Sequence, residues 1–156
     1  MNRIAVFPGS FDPITIGHVD ILERSLPLFD KIIIAIGVNG QKQNMFSLEQ
    51  RMAWLNEIFG GNDKIVISNY SGLTVDYCQS ENANFILRGV RNAIDFAYES
   101  TIASVNRSMF PGIETILLPA SPQHTHISST IVRELIKYKG KFDHLVPGCI
   151  YRDAGK

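Results

Sequence analysis

The chain alternates between short, almost wholly apolar runs and longer segments whose apolar residues recur every three or four positions. Continuous apolar runs indicate strands buried on both faces, whereas the wider spacing indicates amphipathic helices. Five strands are predicted, at residues 3–7, 31–38, 64–68, 85–88 and 114–118. Five helices are predicted between and after them, at residues 17–26, 47–59, 73–81, 94–109 and 129–138.

Residues that start or stop helices punctuate this pattern. Pro27 lacks an N–H and should end the first helix. Ser47 and Gln50 have the spacing of a capping box and should open the second helix. Gly60 should stop that helix, and Gly140 should stop the fifth.

This order of strands and helices predicts an α/β fold. We expect a doubly wound, Rossmann-like five-stranded parallel sheet with helices on both faces. The sequence shows no linker, repeat or low-complexity tract, so residues 1–156 are predicted to form a single domain. Ligands of such sheets bind beyond the carboxyl ends of the strands, and the loops there should carry the chemistry.

Composition narrows the possible partners. Hydrophobic residues make up 45% of the 156 residues, which is typical of a globular protein with a core. The 15 basic residues equal the 15 acidic ones, which argues against a broad surface for nucleic acid or anionic membranes. A local anion site remains compatible with this balance.

Neither cysteine usage nor the N-terminus indicates export. Cys78 and Cys149 belong to no CxxC pair, so a redox or metal knuckle is not expected. The N-terminus has no basic start followed by a long apolar stretch, and the longest aliphatic run, residues 32–36, is too short to span a bilayer. We expect a cytoplasmic protein without a membrane partner.

The loop after the first predicted strand contains the clearest candidate chemistry. Gly9 and Gly17 let the backbone approach a ligand, and the following helix start offers free N–H donors. Ser10 adds a hydroxyl and His18 an imidazole. Glycines needed only for a turn would explain part of this pattern, but His18 directly after Gly17 favours phosphate binding. The loop contains neither a dinucleotide GxGxxG nor a Walker A motif.

Two further loops add cations. Lys42 follows the second predicted strand, where a solvated surface lysine is the simpler interpretation. Arg88 and Arg91 flank a glycine at the end of the fourth strand, where arginine can grip phosphate with paired donors. An ordinary surface ion network with downstream acidic residues is the alternative.

A segment rich in hydroxyl groups precedes the last predicted helix. Ser128, Ser129 and Thr130 could wrap a triphosphate, but a plain N-cap is the more common use of such residues. All four loops leave the same predicted rim of the sheet. Together they favour an anion site for a nucleotide and a second, phosphorylated substrate.

The stretch Thr15-Ile16-Gly17-His18 resembles the (H/T)xGH motif of the nucleotidylyltransferase superfamily, whose histidine contacts nucleotide phosphates. The wider set of motifs closely resembles the bacterial phosphopantetheine adenylyltransferase family over nearly the whole chain. That set comprises residues 8–18, Arg88-Gly-Val-Arg91, Asp95-Phe-Ala-Tyr-Glu99 and Ile127-Ser-Ser-Thr130.

The resemblance implies that ATP and 4′-phosphopantetheine react to give 3′-dephospho-CoA and pyrophosphate. It also implies Mg²⁺, a homohexamer and feedback inhibition by coenzyme A. By position, the phosphopantetheine contacts would be Ser10, Lys42, Thr74 and Arg88. The ATP contacts would be Ser10, Phe11, His18, Gly89, Val90, Arg91, Glu99, His124, Thr125, His126, Ile127, Ser128, Ser129 and Thr130.

The chain departs from the family pattern at three positions. Ser10 stands where the family usually has threonine, and His124 and His126 stand where it usually has aromatic residues. Two histidines without a nearby third ligand are a weak indication of zinc, and no protein-ligated metal site is predicted.

The expected mechanism needs no covalent nucleophile. The acceptor phosphate would attack the α-phosphorus of ATP in line, so that catalysis rests on positioning and charge stabilisation. His18 would stabilise the α-phosphate, Ser10 and Lys42 would orient the acceptor, and Arg91 would hold the ATP phosphates. Alternatives are another acceptor, such as nicotinamide mononucleotide or glycerol phosphate, and a non-catalytic nucleotide sensor.

Overall fold

The structure, a computed structural model, describes residues 2–155, so Met1 and Lys156 of the predicted domain lie outside it. The strands are β1 (Ile4–Gly9), β2 (Lys31–Gly37), β3 (Ile65–Tyr70), β4 (Phe85–Val90) and β5 (Glu114–Pro119). The helices are α1 (Ile16–Ser25), α2 (Leu48–Phe59), α3 (Thr74–Ser80), α4 (Ala93–Met109), α5 (Ser129–Lys137) and α6 (Gly148–Ala154).

The five strands form one parallel sheet in the order β3-β2-β1-β4-β5. Successive strands extend the sheet to one side of β1 and then to the other, which places a topological switch point between β1 and β4. The pairing of β1 with β2 continues to Gly9, whereas its register with β4 ends at Val6 and Ile86. The carboxyl ends of β1 and β4 therefore border a crevice, which is where such sheets bind ligands.

Both faces of the sheet are buried. In β2, Ile32, Ile34 and Ile36 belong to one hydrophobic core, while Ile33 and Ala35 belong to the other. This alternation follows from the two-residue period of a strand and explains the unbroken apolar run in the sequence. The predicted doubly wound α/β sheet, with helices flanking it, is confirmed.

Several strands run past their predicted ends. β1 includes Gly9, and β4 continues through Gly89 to Val90. Glycine interrupts the apolar pattern, but the backbone stays extended because Gly9 pairs with Ile36 in β2 and Gly89 pairs with Leu118 in β5. The prediction that ended these strands earlier was wrong, and part of the candidate chemistry lies on the sheet itself.

Helix capping also differs from the prediction. Ser47 caps α2 by accepting from the Gln50 N–H at 3.1 Å. Within residues 2–155 the reciprocal capping box lies instead at the start of α1, between Thr15 and His18. His18, which is predicted to carry chemistry, therefore also helps to cap the N-terminus of its own helix.

The sequence pattern missed the C-terminal helix α6. It packs beside α2, where the Trp54 Nε1–H donates to Asp153 at 2.9 Å and Arg152 pairs with both Glu57 oxygens at 2.9 and 3.0 Å. At seven residues, α6 depends on this tertiary contact more than on its own pattern. No helix within residues 2–155 has the length and apolar character to cross a bilayer.

Candidate active site

Two adjoining cavities lie at the switch point. The first, of about 270 Å³, lies between the ends of β1 and β4 and the start of α1. The second, of about 580 Å³, extends toward α3 and α4. Both are lined by Pro8, Gly9, Ser10, Arg88 and Glu99, so these residues form the junction between the two.

The structure gathers most of the predicted site residues here. All four residues expected at the acceptor, Ser10, Lys42, Thr74 and Arg88, line the second cavity. The first cavity is lined by the predicted nucleotide residues Ser10, Phe11, His18, Gly89, Arg91, Glu99, His124, Ile127, Ser128 and Ser129. Val90, Thr125, His126 and Thr130 lie outside that lining. Val90 is buried in the sheet and His126 is exposed.

His18 is held in one orientation by the helix start. Its Nδ1 accepts from the Thr15 backbone N–H at 3.0 Å and lies 2.9 Å from the Thr15 hydroxyl oxygen. The Phe11 ring packs edge-on at 5.3 Å between centroids. Because Nδ1 accepts a backbone hydrogen bond, the proton of the neutral ring sits on Nε2, which is then a donor.

The protonated, positively charged form of His18 is disfavoured in the folded protein. Burial, followed by the nearby positive charges of Arg88 and Arg91, lowers its pKa from 6.5 to about 4. The side chain is therefore neutral at pH 7. The neutral ring can donate a hydrogen bond to a phosphate oxygen. The imidazolium form is not the form that the free protein brings to the reaction.

Hydrogen bonds from two arginines hold the loop that carries Ser10. The buried Arg51 donates to the Ser10 carbonyl at 2.7 Å, and Arg133 donates to the Asp12 carbonyl at 2.8 Å. Phe11 has a left-handed φ of 44°, and its ring lies so close to Gly9 that an added Cβ there would meet it at 3.0 Å. Glycine at position 9, the last residue of β1, therefore leaves room for the Phe11 ring.

Asp12 ties this loop to the Lys42 loop. Its buried carboxylate accepts from the Met45 N–H at 2.8 Å and the Phe46 N–H at 2.9 Å. Lys42 itself is exposed on the rim of the second cavity. Asp12, Arg51 and Arg133 were missed by sequence reasoning, since the contacts by which they hold these loops join residues 33 to 121 positions apart.

Hydrogen bonds hold the Arg88 side chain at the junction of the two cavities. Its Nε and Nη2 donate to the two Glu99 oxygens at 2.9 and 2.6 Å, and Nη1 donates to the Pro8 carbonyl at 2.6 Å. Glu99 is only 8% exposed. Both of its oxygens are engaged by Arg88, so Glu99 positions the guanidinium, and direct contact of its carboxylate with an anionic phosphate would be repulsive. Two N–H groups of Arg88 remain for a ligand.

Arg91 connects the β4 end with the segment before α5. It pairs with Asp95 at 2.9 Å and donates to the Ile127 carbonyl at 3.4 Å. Its side chain lines the first cavity beside His18. The two predicted arginines therefore lie on one site and are each oriented by an acidic residue of α4.

The hydroxyl-rich segment is used mainly by the protein itself. Ser128 caps α5 by accepting from the Ile131 N–H at 3.2 Å, which confirms the plain N-cap interpretation. Ser129 donates to the Pro13 carbonyl at 2.7 Å, and Thr130 accepts from Arg133 at 3.2 Å. Thr125 donates to the Pro122 carbonyl at 3.1 Å. Ser128 and Ser129 also line the first cavity, at the N-terminus of α5.

The second cavity has a polar floor and an apolar wall. Tyr70 and Thr74 share a hydrogen bond of 2.7 Å, and Gly37 leaves room for the Tyr70 ring. Leu73 and Tyr98 are exposed large side chains on the wall. Tyr70 belongs to no motif in the sequence, whereas Tyr98 lies within the Asp95-Phe-Ala-Tyr-Glu99 motif but was not predicted as a site residue.

Comparison with known proteins gives a consistent family. A cytidylyltransferase-like family model matches residues 6–135. The chain is 50% identical to a phosphopantetheine adenylyltransferase of Christiangramia forsetii, over 94% of this chain and 96% of that protein. It is 48% identical to a phosphopantetheine adenylyltransferase of Flavobacterium johnsoniae, over 95% of this chain and 97% of that protein.

Solved structures share the fold at low identity. A Vibrio parahaemolyticus protein described as a nicotinate-nucleotide adenylyltransferase superposes with a TM-score of 0.73 at 17% identity, covering 97% of this chain and 91% of that one. A bifunctional NMN adenylyltransferase/ADP ribose pyrophosphatase of Francisella tularensis gives 0.70 at 20% identity, covering 97% of this chain and 47% of that one.

Proposed function

The chain belongs to the cytidylyltransferase-like family and, within it, to the phosphopantetheine adenylyltransferases, and on this premise we propose how its two cavities divide the reaction. The enzyme transfers AMP from ATP to 4′-phosphopantetheine, giving 3′-dephospho-CoA and pyrophosphate, the penultimate step of coenzyme A biosynthesis. The first cavity takes ATP and the second takes the acceptor. The meeting of the two cavities at Ser10 and Arg88 is the observation that carries this division.

The reaction at the junction is a single in-line displacement. An oxygen of the acceptor phosphate forms a bond to the α-phosphorus, the bond from that phosphorus to the β-bridging oxygen breaks, and pyrophosphate leaves. Neutral His18 donates its Nε2–H to a non-bridging α-oxygen, whose charge grows in the transition state. The fixed cap at Thr15 means that this donor needs little reorientation.

The acceptor phosphate is held from two sides. Lys42 approaches from the rim and Arg88, braced by Glu99 and Pro8, from the junction, while the Ser10 hydroxyl orients the attacking oxygen. Arg91, oriented by Asp95, holds the ATP phosphates. The apolar wall containing Leu73 and Tyr98 supports placing the pantetheine arm in the second cavity.

Mg²⁺ fits this site when it is bound to the nucleotide phosphates and not to protein side chains. Among the residues described, 2–155, no group of three or more His, Cys, Asp or Glu side chains is arranged to hold a metal. The carboxylates that line the first cavity, Asp95 and Glu99, are paired with arginines. Mg²⁺ commonly binds through substrate phosphates and water, and bound in that way it would offset triphosphate charge.

The acceptor assignment is tested by pyrophosphate release from ATP with a panel of acceptors. We expect turnover with 4′-phosphopantetheine at a kcat/KM at least about 100-fold above nicotinamide mononucleotide and glycerol phosphate. A higher kcat/KM with either of those acceptors would overturn the assignment. ATP binding without transfer to any acceptor would instead support a nucleotide sensor.

We also propose that the protein forms a homohexamer, that coenzyme A inhibits it by feedback and that it is located in the cytoplasm. Exposed apolar side chains on α4, Ile94 at 82% and Phe96 at 53%, support burial of this helix against another copy. Light scattering after gel filtration should give six times the 17.4 kDa chain mass, and a monomer would contradict the hexamer.

Inhibition by coenzyme A that is relieved by 4′-phosphopantetheine would support feedback at this site.

A further inference from the structure

A pair of hydroxyl groups lies on the second cavity, and one of them belongs to a residue to which no motif assigns a role. The Tyr70 and Thr74 hydroxyl oxygens are 2.7 Å apart, and both residues line the cavity. A Cβ added to Gly37, which also lines the cavity, would lie 3.4 Å from the Tyr70 hydroxyl oxygen. The hydroxyl end of the Tyr70 ring therefore lies between two lining residues, at the cavity wall.

The Tyr70 ring is held by its strand and by a second ring. Tyr70 is the last residue of β3, where it pairs with Gly37 of β2, and its carbonyl accepts from the Val38 N–H at 2.7 Å. Its ring stacks on that of Tyr77, with 4.7 Å between centroids and 13° between planes. Tyr77 lies on α3 and lines neither of the two cavities. The strand and the stack therefore leave the Tyr70 hydroxyl little freedom to turn away from Thr74.

The two hydroxyls together keep one donor for a ligand. Each hydroxyl has a single O–H, and the bond between them uses only one of the two. Within residues 2–155 neither hydroxyl makes another hydrogen bond, so the second O–H is unused. A phenol is a stronger donor than an aliphatic alcohol, which favours donation from Tyr70 to Thr74 and leaves the Thr74 O–H for a ligand. Accepting from Tyr70 also strengthens the donation that Thr74 can make.

We propose that Tyr70 is a positioning residue for the acceptor, which holds the Thr74 hydroxyl so that it donates to an amide carbonyl of the pantetheine arm. The two amide carbonyls are the strongest hydrogen-bond acceptors along that arm. A donor beside the apolar wall that contains Leu73 favours a carbonyl over a plain alkyl chain. This inference rests on the proposed function, which places the acceptor in the second cavity, and it adds a residue outside the recognised motifs.

The test compares 4′-phosphopantetheine with two analogues, in each of which one of the two amides is replaced by a pair of methylene groups. For one analogue, the kcat/KM preference of wild type for the natural acceptor should exceed that of Thr74→Val by about tenfold, the effect of one hydrogen bond. Thr74→Ser keeps the hydroxyl and should keep most of the preference. Tyr70→Phe keeps the stacked ring and should lower the preference about threefold, through a higher KM and not a lower kcat.

Tyr77→Phe is the matched control, because it makes the same chemical change on the other ring of the stack, away from both cavities. Its preference should equal that of wild type. Tyr70→Phe added to Thr74→Val should cause no further loss of preference, since Tyr70 acts through Thr74. An unchanged preference in Tyr70→Phe would overturn the proposal. An equal loss with all three acceptors in that variant would also overturn it and would indicate a packing role for the hydroxyl.

Calorimetry with the same three acceptors, without ATP, separates this inference from the proposed reaction. The binding preference should fall in Tyr70→Phe and Thr74→Val as the kinetic preference does. If this binding pattern is found but no AMP is transferred to 4′-phosphopantetheine, the proposed reaction fails and acceptor recognition stands. If transfer occurs while wild type and Thr74→Val show the same preference against both analogues, the reaction stands and acceptor recognition by this pair fails.

Discussion

His18 combines a structural and a chemical role in one side chain. Its Nδ1 accepts from the Thr15 N–H, which fixes the ring, while Nε2 keeps the proton that a phosphate can use. Burial and the two nearby arginines make the charged form unfavourable before substrate arrives. The site is thus set up to donate a hydrogen bond from a neutral ring, and anionic phosphates would raise the pKa of that ring on binding.

The depressed pKa of His18 predicts a pH dependence of stability. Between pH 6.5 and about 4 the unfolded chain binds a proton that the folded chain does not, so the free energy of unfolding falls as pH falls. The loss attributable to this residue is on the order of 3 kcal/mol. Urea unfolding from pH 7 to 4 should show a smaller loss in His18→Asn, and identical slopes in both proteins would contradict the neutral ring.

Substitution of His18 should separate catalysis from folding. In His18→Asn the side-chain oxygen can still accept from Thr15, but the Nε2 donor is gone. We expect kcat to fall about 10²–10³-fold, as for loss of an oxyanion donor, with the ATP dissociation constant changed much less. Steady-state kinetics with calorimetry measures both quantities. Near-normal kcat in this variant would remove His18 from the mechanism.

Glu99 should act through Arg88. Glu99→Gln removes the negative charge that braces the guanidinium, and we expect the KM for 4′-phosphopantetheine to rise about tenfold with a stability loss of about 1–3 kcal/mol. Glu114→Gln is the control, because its ion pair with Arg107 is solvent-exposed and contributes under about 1 kcal/mol. A KM increase for ATP alone would indicate direct nucleotide contact by Glu99.

At the scale of elements, the site depends on how α1, α2 and α5 hold the loop between β1 and α1. Arg51 of α2 and Arg133 of α5 donate to carbonyls of that loop, at Ser10 and Asp12. Ser129 donates to the Pro13 carbonyl. These contacts leave Ser10 and His18 on a rigid frame, which is what a reaction controlled by positioning requires.

The N-cap of α5 predicts a specific stability effect. Ser128→Ala should lower the free energy of unfolding by about 1 kcal/mol, because the Ile131 N–H loses its acceptor. Ser128→Asp should retain most of that stability. Ser104→Ala, an exposed site inside α4, should be neutral or slightly stabilising. Urea midpoints compare the variants, and an unchanged midpoint in Ser128→Ala would contradict the cap.

Sequence reasoning found the elements with strong periodicity and the residues with recognisable chemistry. The apolar run of β2 and the cap residue Ser128 were evident because both depend on near neighbours. The short helix α6 was not, since Trp54 and Arg152 stabilise it across the fold. The motif predicted Glu99 at the nucleotide, and Glu99 lines the first cavity. Its pairing with Arg88 was not evident, because a motif records position but not which side chains pair.

At the scale of the whole molecule, the central feature is the switch point of the sheet. Two cavities open there because the carboxyl ends of β1 and β4 diverge, and they share the junction of Ser10 and Arg88. This arrangement brings two phosphorylated substrates together from opposite sides. It favours direct transfer between them, without a covalent intermediate on the protein.

The stereochemical course of transfer tests this claim most directly. An adenosine 5′-O-(1-thiotriphosphate) diastereomer of known configuration is reacted with 4′-phosphopantetheine, and the configuration at the AMP-derived phosphorus of the product is determined. One in-line displacement at the junction predicts inversion. Retention would require two successive displacements through a covalent adenylyl-enzyme and would contradict direct transfer between the two cavities.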